Sequence, residues 1–459
     1  MADFPKLLTS RYDIPSSWTL EVAEKAGAYS TARKALTTMK PDEIRGEVKA
    51  ACIRGRGGAG FPAGVKWGFL PEETDKPFYL TVNADEGEPG TIKDRTIMER
   101  DPHRLIEGCI ITLYGIRAHT AYIYVRCELI KAIRRLEEAI EGARQRGYLG
   151  KKPFGVDYEI NIYIHPGAGA YICGEESALL NSLEGKRGET RLRPPFPAQV
   201  GAFGAPTIVN NVETISSVPD IIRMGGKAWS ELSRIPGDGG VRLYGVSGHV
   251  KRPGVYEGPV GLTLRELVFE LGGGMLHEDK PLKAITPGGS CTPLLRPDDV
   301  VDAPDQNSPL HPYHGKSHLD VPMACETFRA LGTMLGTTCA IVMDSSVNMV
   351  EVARNLMHFY AHESCGQCTP CREGSGWMLR ILNDLARGKG REQDVALLVE
   401  ILNNIMGNTI CAFGEGMCMP ILGILQKFHQ EFLLAAKNGV PGSPLGESAK
   451  ELVLGQQTD

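Results

Sequence analysis

The segment Ser364-Cys365-Gly366-Gln367-Cys368-Thr369-Pro370-Cys371 places three cysteines at intervals of three residues. Thiolates so spaced can reach one small volume, as a soft metal centre requires. A bacterial ferredoxin run would add a fourth cysteine four residues on and follow it with proline; here that position is Ser375. The fourth ligand must come from elsewhere, and Cys411 and Cys418 are the nearby candidates. Zinc accepts four cysteines, usually as two C-x-x-C pairs on separate segments. Three ligands in one run with a remote fourth is the more usual cubane arrangement, so the spacing favours iron–sulfur over structural zinc.

A redox centre needs an electron source, and two further groups of residues suit one. Gly55-Arg56-Gly57-Gly58-Ala59-Gly60 fits G-x-G-x-x-G. The dinucleotide fingerprint demands a buried strand before it and a helix after it. Here a charged, helix-like segment (EIRGEVKAACIR) precedes the glycines and Pro62 delays any following helix, so a standard Rossmann fingerprint is disfavoured. A loop whose amides approach a phosphate or flat ring stands against a plain flexible turn. The second group is acidic: Asp85, Glu86 and Glu88 follow an apolar run, and Glu175-Glu176 follow a later one. Carboxylates repel phosphate, so sugar hydroxyls and ring N–H groups are their expected partners. Lys66, Arg193 and the amides near Asn210-Asn211 are candidates for phosphate contacts. The segment RLRPPF, ending at Phe196, suits stacking on a base or a stiffened linker.

The whole chain bounds these readings. Its 459 residues imply two to four domains, and 42% hydrophobic with 23% charged residues is a globular composition. A formal charge of −5 gives nucleic-acid binding no support. No apolar run approaches the ~18 residues of a membrane span, and the N-terminus lacks signal- and transit-peptide character. A membrane role would therefore come through a partner. Eight of the twelve cysteines are scattered singly, several in apolar runs, which suits a reducing compartment.

The elements that must position these residues follow from periodicity. Residues 1–50 read as helices. From residue 78, strands near FYLTVNA, AYIYVRCE and YEINIYIHP alternate with helices near 101–116, 129–146 and ESALLNSLEG, predicting a parallel sheet with helices on both faces. Ligands in such sheets sit beyond the carboxyl ends of strands, where the loops 83–90 and 167–176 lie. From 239 to 343 short strands and one helix, introduced by the capping box Thr263 to Glu266, predict a small α+β domain in which Gly272-Gly273-Gly274 stops the helix. His311, His314 and His318 fall in a polar loop and are read as solvated rather than ligating. Apolar periodicity from 349 to 432 predicts four helices, the last starting near Pro420, in an up-down bundle. Its first and third loops share one end, which brings Cys411, in preference to Cys418, to the triplet. The tail from 440 is expected to be disordered.

The motifs GRGGAGFPAGVKW, NADEGEPGT, GAYICGEESALL, RPPFPA, NNVET, SCGQCTPCREG and NTICAFG occur in that order. Across residues 15–437 the chain resembles the family of flavin-bearing, NADH-oxidising subunits of respiratory complex I, the NADH–quinone oxidoreductase F subunits. The resemblance implies an α/β Rossmann-like FMN/NADH domain at 51–238, a ubiquitin-like β-grasp domain at 239–343, and a four-helix bundle at 344–439 holding a [4Fe-4S] cluster. It implies an FMN site of Gly55, Arg56, Gly57, Lys66, Asn83, Asp85, Glu86, Tyr171, Glu175, Asn210, Asn211 and Thr214. NADH would stack on the flavin, lined by Phe61, Phe69, Glu88, Glu176 and Phe196, and Cys365, Cys368, Cys371 and Cys411 would hold the cluster. No protein acid or base is needed for hydride transfer itself. The implied partners are a small thioredoxin-like [2Fe-2S] subunit and a large multi-cluster subunit, and the implied location is cytoplasmic, peripheral on the inner face of the energy-transducing membrane. Arg193 stands where many relatives have lysine, and Cys418 where alanine is common. Two other readings remain: the diaphorase subunit of an NAD-linked hydrogenase or formate dehydrogenase, and a non-enzymatic scaffold stabilised by zinc.

Overall fold

The computed structural model describes residues 4–445. Four parallel strands, β1 (Tyr79–Ala84), β2 (Thr120–Val125), β3 (Asn161–Pro166) and β4 (Thr207–Asn211), form a sheet in the order β3-β2-β1-β4. Period-two alternation decides which core each side chain enters. Leu80, Val82, Ala121, Ile123 and Ile208 join one core with the helices α1 (Pro102–Gly115), α2 (Ile130–Gln145) and α4 (Val212–Met224). Tyr122, Tyr124 and Val209 join the opposite core with α3 (Glu176–Leu183) and the C-terminal helices. The expected sheet with helices on both faces is present. β4 and α4 lie beyond the segment in which strand–helix alternation is legible.

The second sheet has the order β6-β5-β8-β7, from β5 (Val241–Gly248), β6 (Gly254–Pro259), β7 (Leu282–Thr286) and β8 (Cys339–Asp344). β5 pairs antiparallel with β6 but parallel with β8, and β7 pairs antiparallel with β8. This is a mixed sheet with a helix between its second and third strands. The capping box forms as expected: Thr263 N donates to Glu266 Oε2 at 2.8 Å and Glu266 N donates to Thr263 Oγ1 at 3.2 Å. Gly273 and Gly274 take positive φ and end that helix.

The C-terminal helices are α5 (Met349–Glu363), α6 (Thr369–Ala386), α7 (Glu392–Ile405), α8 (Phe413–Lys427) and α9 (His429–Asn438). Two expectations are corrected here. The last long helix starts at Phe413 and carries Pro420 inside it, and it breaks at Phe428 into two. Proline removes one N–H and crowds the carbonyl four residues back; burial of Met417, Ile421, Ile424 and Leu425 in the bundle core outweighs that loss. The beginning of the tail is also ordered. Val440 packs into the bundle core and its N–H donates to Ala386 O at 2.9 Å, and Ser443 is buried with its hydroxyl on Glu351. The rest of that expectation, from residue 446, lies outside the described residues.

Candidate functional site

The first sheet reverses its direction of growth between β1 and β4. Successive strands β1, β2 and β3 are added on one side, and β4 returns to the other side of β1. Loops leaving the carboxyl ends of two such neighbours must part, which opens a crevice there. A cleft of about 350 Å³ occupies this place. It is lined by the loop after β1 (Asn83, Asp85, Glu86, Glu88), the turn after β3 (Tyr171, Glu175), Asn211 at the end of β4 and the glycine loop (Gly57, Gly58). Gly336 and Thr337 close it from the β-grasp side, and Tyr360, Phe413 and Glu415 from the bundle.

The glycine loop precedes β1 instead of following it, so its place in the fold differs from a Rossmann fingerprint. A bridge between Arg54 and Pro62 closes the loop, and the helix Ala63–Trp67 starts directly after that proline. A Cβ at Gly57 would meet Asn211 Cβ at 3.3 Å, and one at Gly60 would meet Cys325 Sγ at 2.6 Å with φ at +69°. Glycine therefore lets the backbone lie close against β4.

The cleft carboxylates differ in their surroundings. Asp85 is buried, its Oδ2 has no partner, and burial pushes its carboxyl up to about 7. Burial also pushes Glu86 up to about 7, while its oxygens accept from Asp94 N at 2.7 Å and Arg95 N at 2.8 Å, at the start of the helix Lys93–Arg100. Glu175 caps α3 through Ser177 N at 2.8 Å and Ala178 N at 3.0 Å.

Of the residues expected to meet a flavin, Gly57, Asn83, Asp85, Glu86, Tyr171, Glu175 and Asn211 line the cleft. Arg56 is fully buried, with its guanidinium on Asp238 Oδ1 at 3.1 Å and on the carbonyls of Gly239 and Val241. Its N–H donates to Thr214 Oγ1 at 2.9 Å, and Asn210 Oδ1 accepts Trp67 Nε1 at 2.8 Å. Gly55 N donates to Phe61 O at 2.8 Å. Arg56, Asn210, Thr214 and Gly55 thus brace the cleft from behind. Lys66 and Arg193 are each engaged by carboxylates: Lys66 Nζ lies 2.7 Å from Glu176 Oε2, and Arg193 meets both Glu175 and Glu176. Phe61, Phe69 and Phe196 are about half exposed, and the Phe61 and Phe69 rings lie 5.8 Å apart. Glu88 is held by three donors inside the cleft. Sequence reasoning missed Thr337, Tyr360, Phe413 and Glu415, whose contribution depends on domain packing rather than on any local motif.

Cys365, Cys368, Cys371 and Cys411 border a second, smaller hollow together with Ser364, Thr409 and Gly414. The C-terminal end of α5, the N-terminal turn of α6 and the approach to α8 supply them, so the helix-loop geometry expected from the bundle is present. Among the described residues no three His, Cys, Asp or Glu side chains converge as a single-ion site; the four cysteines instead border one hollow. Four thiol donors around one hollow fit an iron–sulfur cubane. Cys418 lies one turn into α8, fully buried, and does not border the hollow. His314 and His311 make hydrogen bonds with Ala303 N and Ala303 O.

Ile172 and Phe413 line both cavities. One layer of side chains therefore separates the cleft from the cysteine hollow. The cleft also fits a flavin: it is flanked by backbone made approachable by glycine, and Asp85, which has an unpartnered carboxylate oxygen, is among its lining residues.

The family model described as the Nuo51 FMN-binding domain matches residues 48–220, which contain all the cleft residues expected for the flavin. The SLBB domain model matches residues 243–292, and the NADH-ubiquinone oxidoreductase-F iron-sulfur binding region matches 351–435. The F 2 subunit of the NADH-quinone oxidoreductase of Rhizobium meliloti is 46% identical over 94% of this chain and 97% of its own. The F subunit of the Mycobacterium tuberculosis enzyme is 45% identical over 94% of each chain. Among solved structures, an NAD+-reducing [NiFe]-hydrogenase in the H2-reduced state matches at a TM-score of 0.78 and 32% identity, covering 99% of this chain and 71% of that one.

Proposed function

The chain belongs to the family of NADH-quinone oxidoreductase F subunits, and from that membership we propose that it is the NADH-oxidising, FMN- and [4Fe-4S]-containing subunit of a respiratory complex I. The observation that carries the reading is the shared wall of Ile172 and Phe413 between the flavin-sized cleft and the four-cysteine hollow. Bound FMN supplies the conversion of a two-electron hydride donor into a one-electron source, and a bound cluster supplies the first one-electron acceptor.

The chain's own residues bind, orient and shield. The amides of Gly57 and Gly58 and the side chain of Asn211 form the flavin phosphate side of the cleft, braced by Arg56, Asn210 and Thr214. Asn83 is held in place by donating to Gly174 O at 2.8 Å, and Asp85, Glu86 and Glu175 face the polar part of the flavin. Phe61, Phe69 and Phe196 offer flat surfaces at the mouth, where NADH enters to stack. Lys66, Gly55 and Tyr171 complete the flavin set, with Glu88 and Glu176 on the nucleotide side. Cys365, Cys368, Cys371 and Cys411 are the cluster ligands. The functional divisions fall near residues 50, 238, 343 and 439.

Membership of the F-subunit family implies other subunits as partners, and in the proposed function these are a small thioredoxin-like [2Fe-2S] subunit and a large multi-cluster subunit. No helix among the described residues is long and apolar enough to cross a membrane. On the proposed function the chain would sit on the cytoplasmic, inner face of the energy-transducing membrane, held there by those partners. The structural likeness to an NAD+-reducing hydrogenase favours a second reading, a diaphorase subunit, but at 32% identity against 46% for a quinone-linked relative.

The test is purification of the full chain, with flavin release on denaturation, NADH–ferricyanide activity and EPR after dithionite reduction. Bound FMN with a cubane signal is expected. A colourless, flavin-free, zinc-loaded protein would overturn the reading in favour of a scaffold.

A further inference from the structure

Ser364 ends α5 and its side chain borders the cysteine hollow. Its Oγ lies 3.3 Å from Cys371 Sγ, and the same oxygen accepts Gly366 N at 3.3 Å. The direction of the first bond follows from ligand chemistry. A metal-bound cysteine is a thiolate and has no proton to give. With Gly366 N–H already directed at the serine oxygen, the proton shared with sulfur is the serine hydroxyl's.

The loop that carries this arrangement is fixed from outside. Arg187 Nη2 donates to Cys365 O at 2.9 Å, and Arg372 Nη1 donates to Gly366 O at 2.5 Å. Thr190 Oγ1 donates to Gln367 Oε1 at 3.1 Å. A second donor to a ligand sulfur is a main-chain group, Ile410 N on Cys368 Sγ at 3.5 Å. Ser364 is thus a side-chain donor that substitution can remove while leaving the loop's outer anchors in place.

We propose that Ser364 is a positioning residue that raises the reduction potential of the cluster by donating its hydroxyl hydrogen bond to the Cys371 sulfur. Reduction adds one electron to the cluster and moves no proton: the hydroxyl hydrogen stays on Ser364, and the bond strengthens as negative charge accumulates on sulfur. Donors to cluster sulfurs favour the more negative, reduced state for this reason. The inference rests on the four cysteines holding the cluster.

The experiment is EPR-monitored redox titration of the holoprotein and its variants, with dithionite as reductant. In Ser364→Ala and Ser364→Gly the iron content and signal amplitude at full reduction stay at the wild-type level. At a fixed ambient potential the reduced-to-oxidised ratio falls by about threefold, a shift of about 28 mV toward more negative values at 59 mV per tenfold. Ser364→Thr keeps the hydroxyl and returns to the wild-type midpoint. A wild-type midpoint in both the alanine and glycine variants overturns the proposal. So does loss of the cluster from both, because the hydroxyl would then be needed for assembly instead of tuning. Absence of any cubane signal from the wild-type protein is a different result, and it would overturn the ligand assignment on which this proposal stands.

Discussion

Glu88 accepts the phenolic hydroxyl of Tyr171 at 2.6 Å. The same carboxylate accepts Ser290 Oγ at 2.9 Å and Cys291 N at 2.8 Å. One side chain thereby joins the loop after β1, the turn after β3 and a segment following β7. Three parts of the chain meet at this carboxylate, and the cleft holds its shape partly through it.

Tyr171→Phe removes one donor from Glu88 and leaves the ring in place. A hydrogen bond to a carboxylate in a part-buried site contributes about 1–3 kcal/mol. The expected result is a loss of that order in denaturant unfolding of the full chain, together with weaker FMN retention. Wild-type stability and FMN affinity in this variant would show that the bond does not hold the cleft.

Asp85 gives the flavin-free chain a pH dependence of definite sign. Its carboxyl has an ordinary value of 3.8 and is pushed up to about 7 by burial. Between those values the folded state keeps a proton that the unfolded state has lost, so stability falls as pH rises from about 4 to about 7. At 1.36 kcal/mol per unit the loss is on the order of 2–4 kcal/mol by pH 8. Asp85→Asn removes this contribution, and its melting temperature should exceed that of the parent at pH 8 but not at pH 4. Equal pH slopes in the two proteins would count against Asp85 as the group responsible.

Local patterns in the sequence reach some of this architecture and not the rest. The apolar runs of β1 and β2, alternating with helices, and the capping box at Thr263 are local signals, and they are legible. The triplet at 365–371 can be joined to Cys411 because helix count alone puts two loops at one end of a bundle. The start of α8 is hidden because Pro420 resembles a helix start, while tertiary burial of Met417 and Ile421 carries the helix through it. The walls of the cleft at Thr337 and Phe413 come from two other parts of the chain, and no local motif records which surfaces will face each other. Lys66 and Arg193 resemble phosphate ligands by charge, but their carboxylate partners at Glu175 and Glu176 are visible only in space.

On the proposed function, those carboxylates bear on nucleotide preference. In the proposed arrangement Glu88 and Glu176 are on the nucleotide side of the cleft, and the nearby cations Lys66 and Arg193 are engaged in ion pairs with Glu175 and Glu176. A 2′-phosphate would meet like charge there, with Lys66 and Arg193 already paired. We expect kcat/KM for NADPH to be lower than for NADH by about 100-fold, roughly 3 kcal/mol in transition-state terms. Comparable values for the two nucleotides, measured at the same ionic strength, would reject this account of specificity.

The two remote cysteines are separated by their surroundings. Cys411 borders the hollow with Cys365, Cys368 and Cys371, whereas Cys418 is fully buried in the bundle core and does not. Burial holds the Cys418 thiol up to about 12, the behaviour of a small apolar packing group. Cys411→Ser should lose the cubane EPR signal, since it replaces a soft donor at the hollow itself. Cys418→Ala should keep the signal and the iron content, at a stability cost of about 1 kcal/mol for the sulfur removed from the core. Retention of the cluster in the first variant with its loss in the second would exchange the two assignments. It would also require α8 to turn by part of a helical turn, which the position of Phe413 between the two cavities opposes.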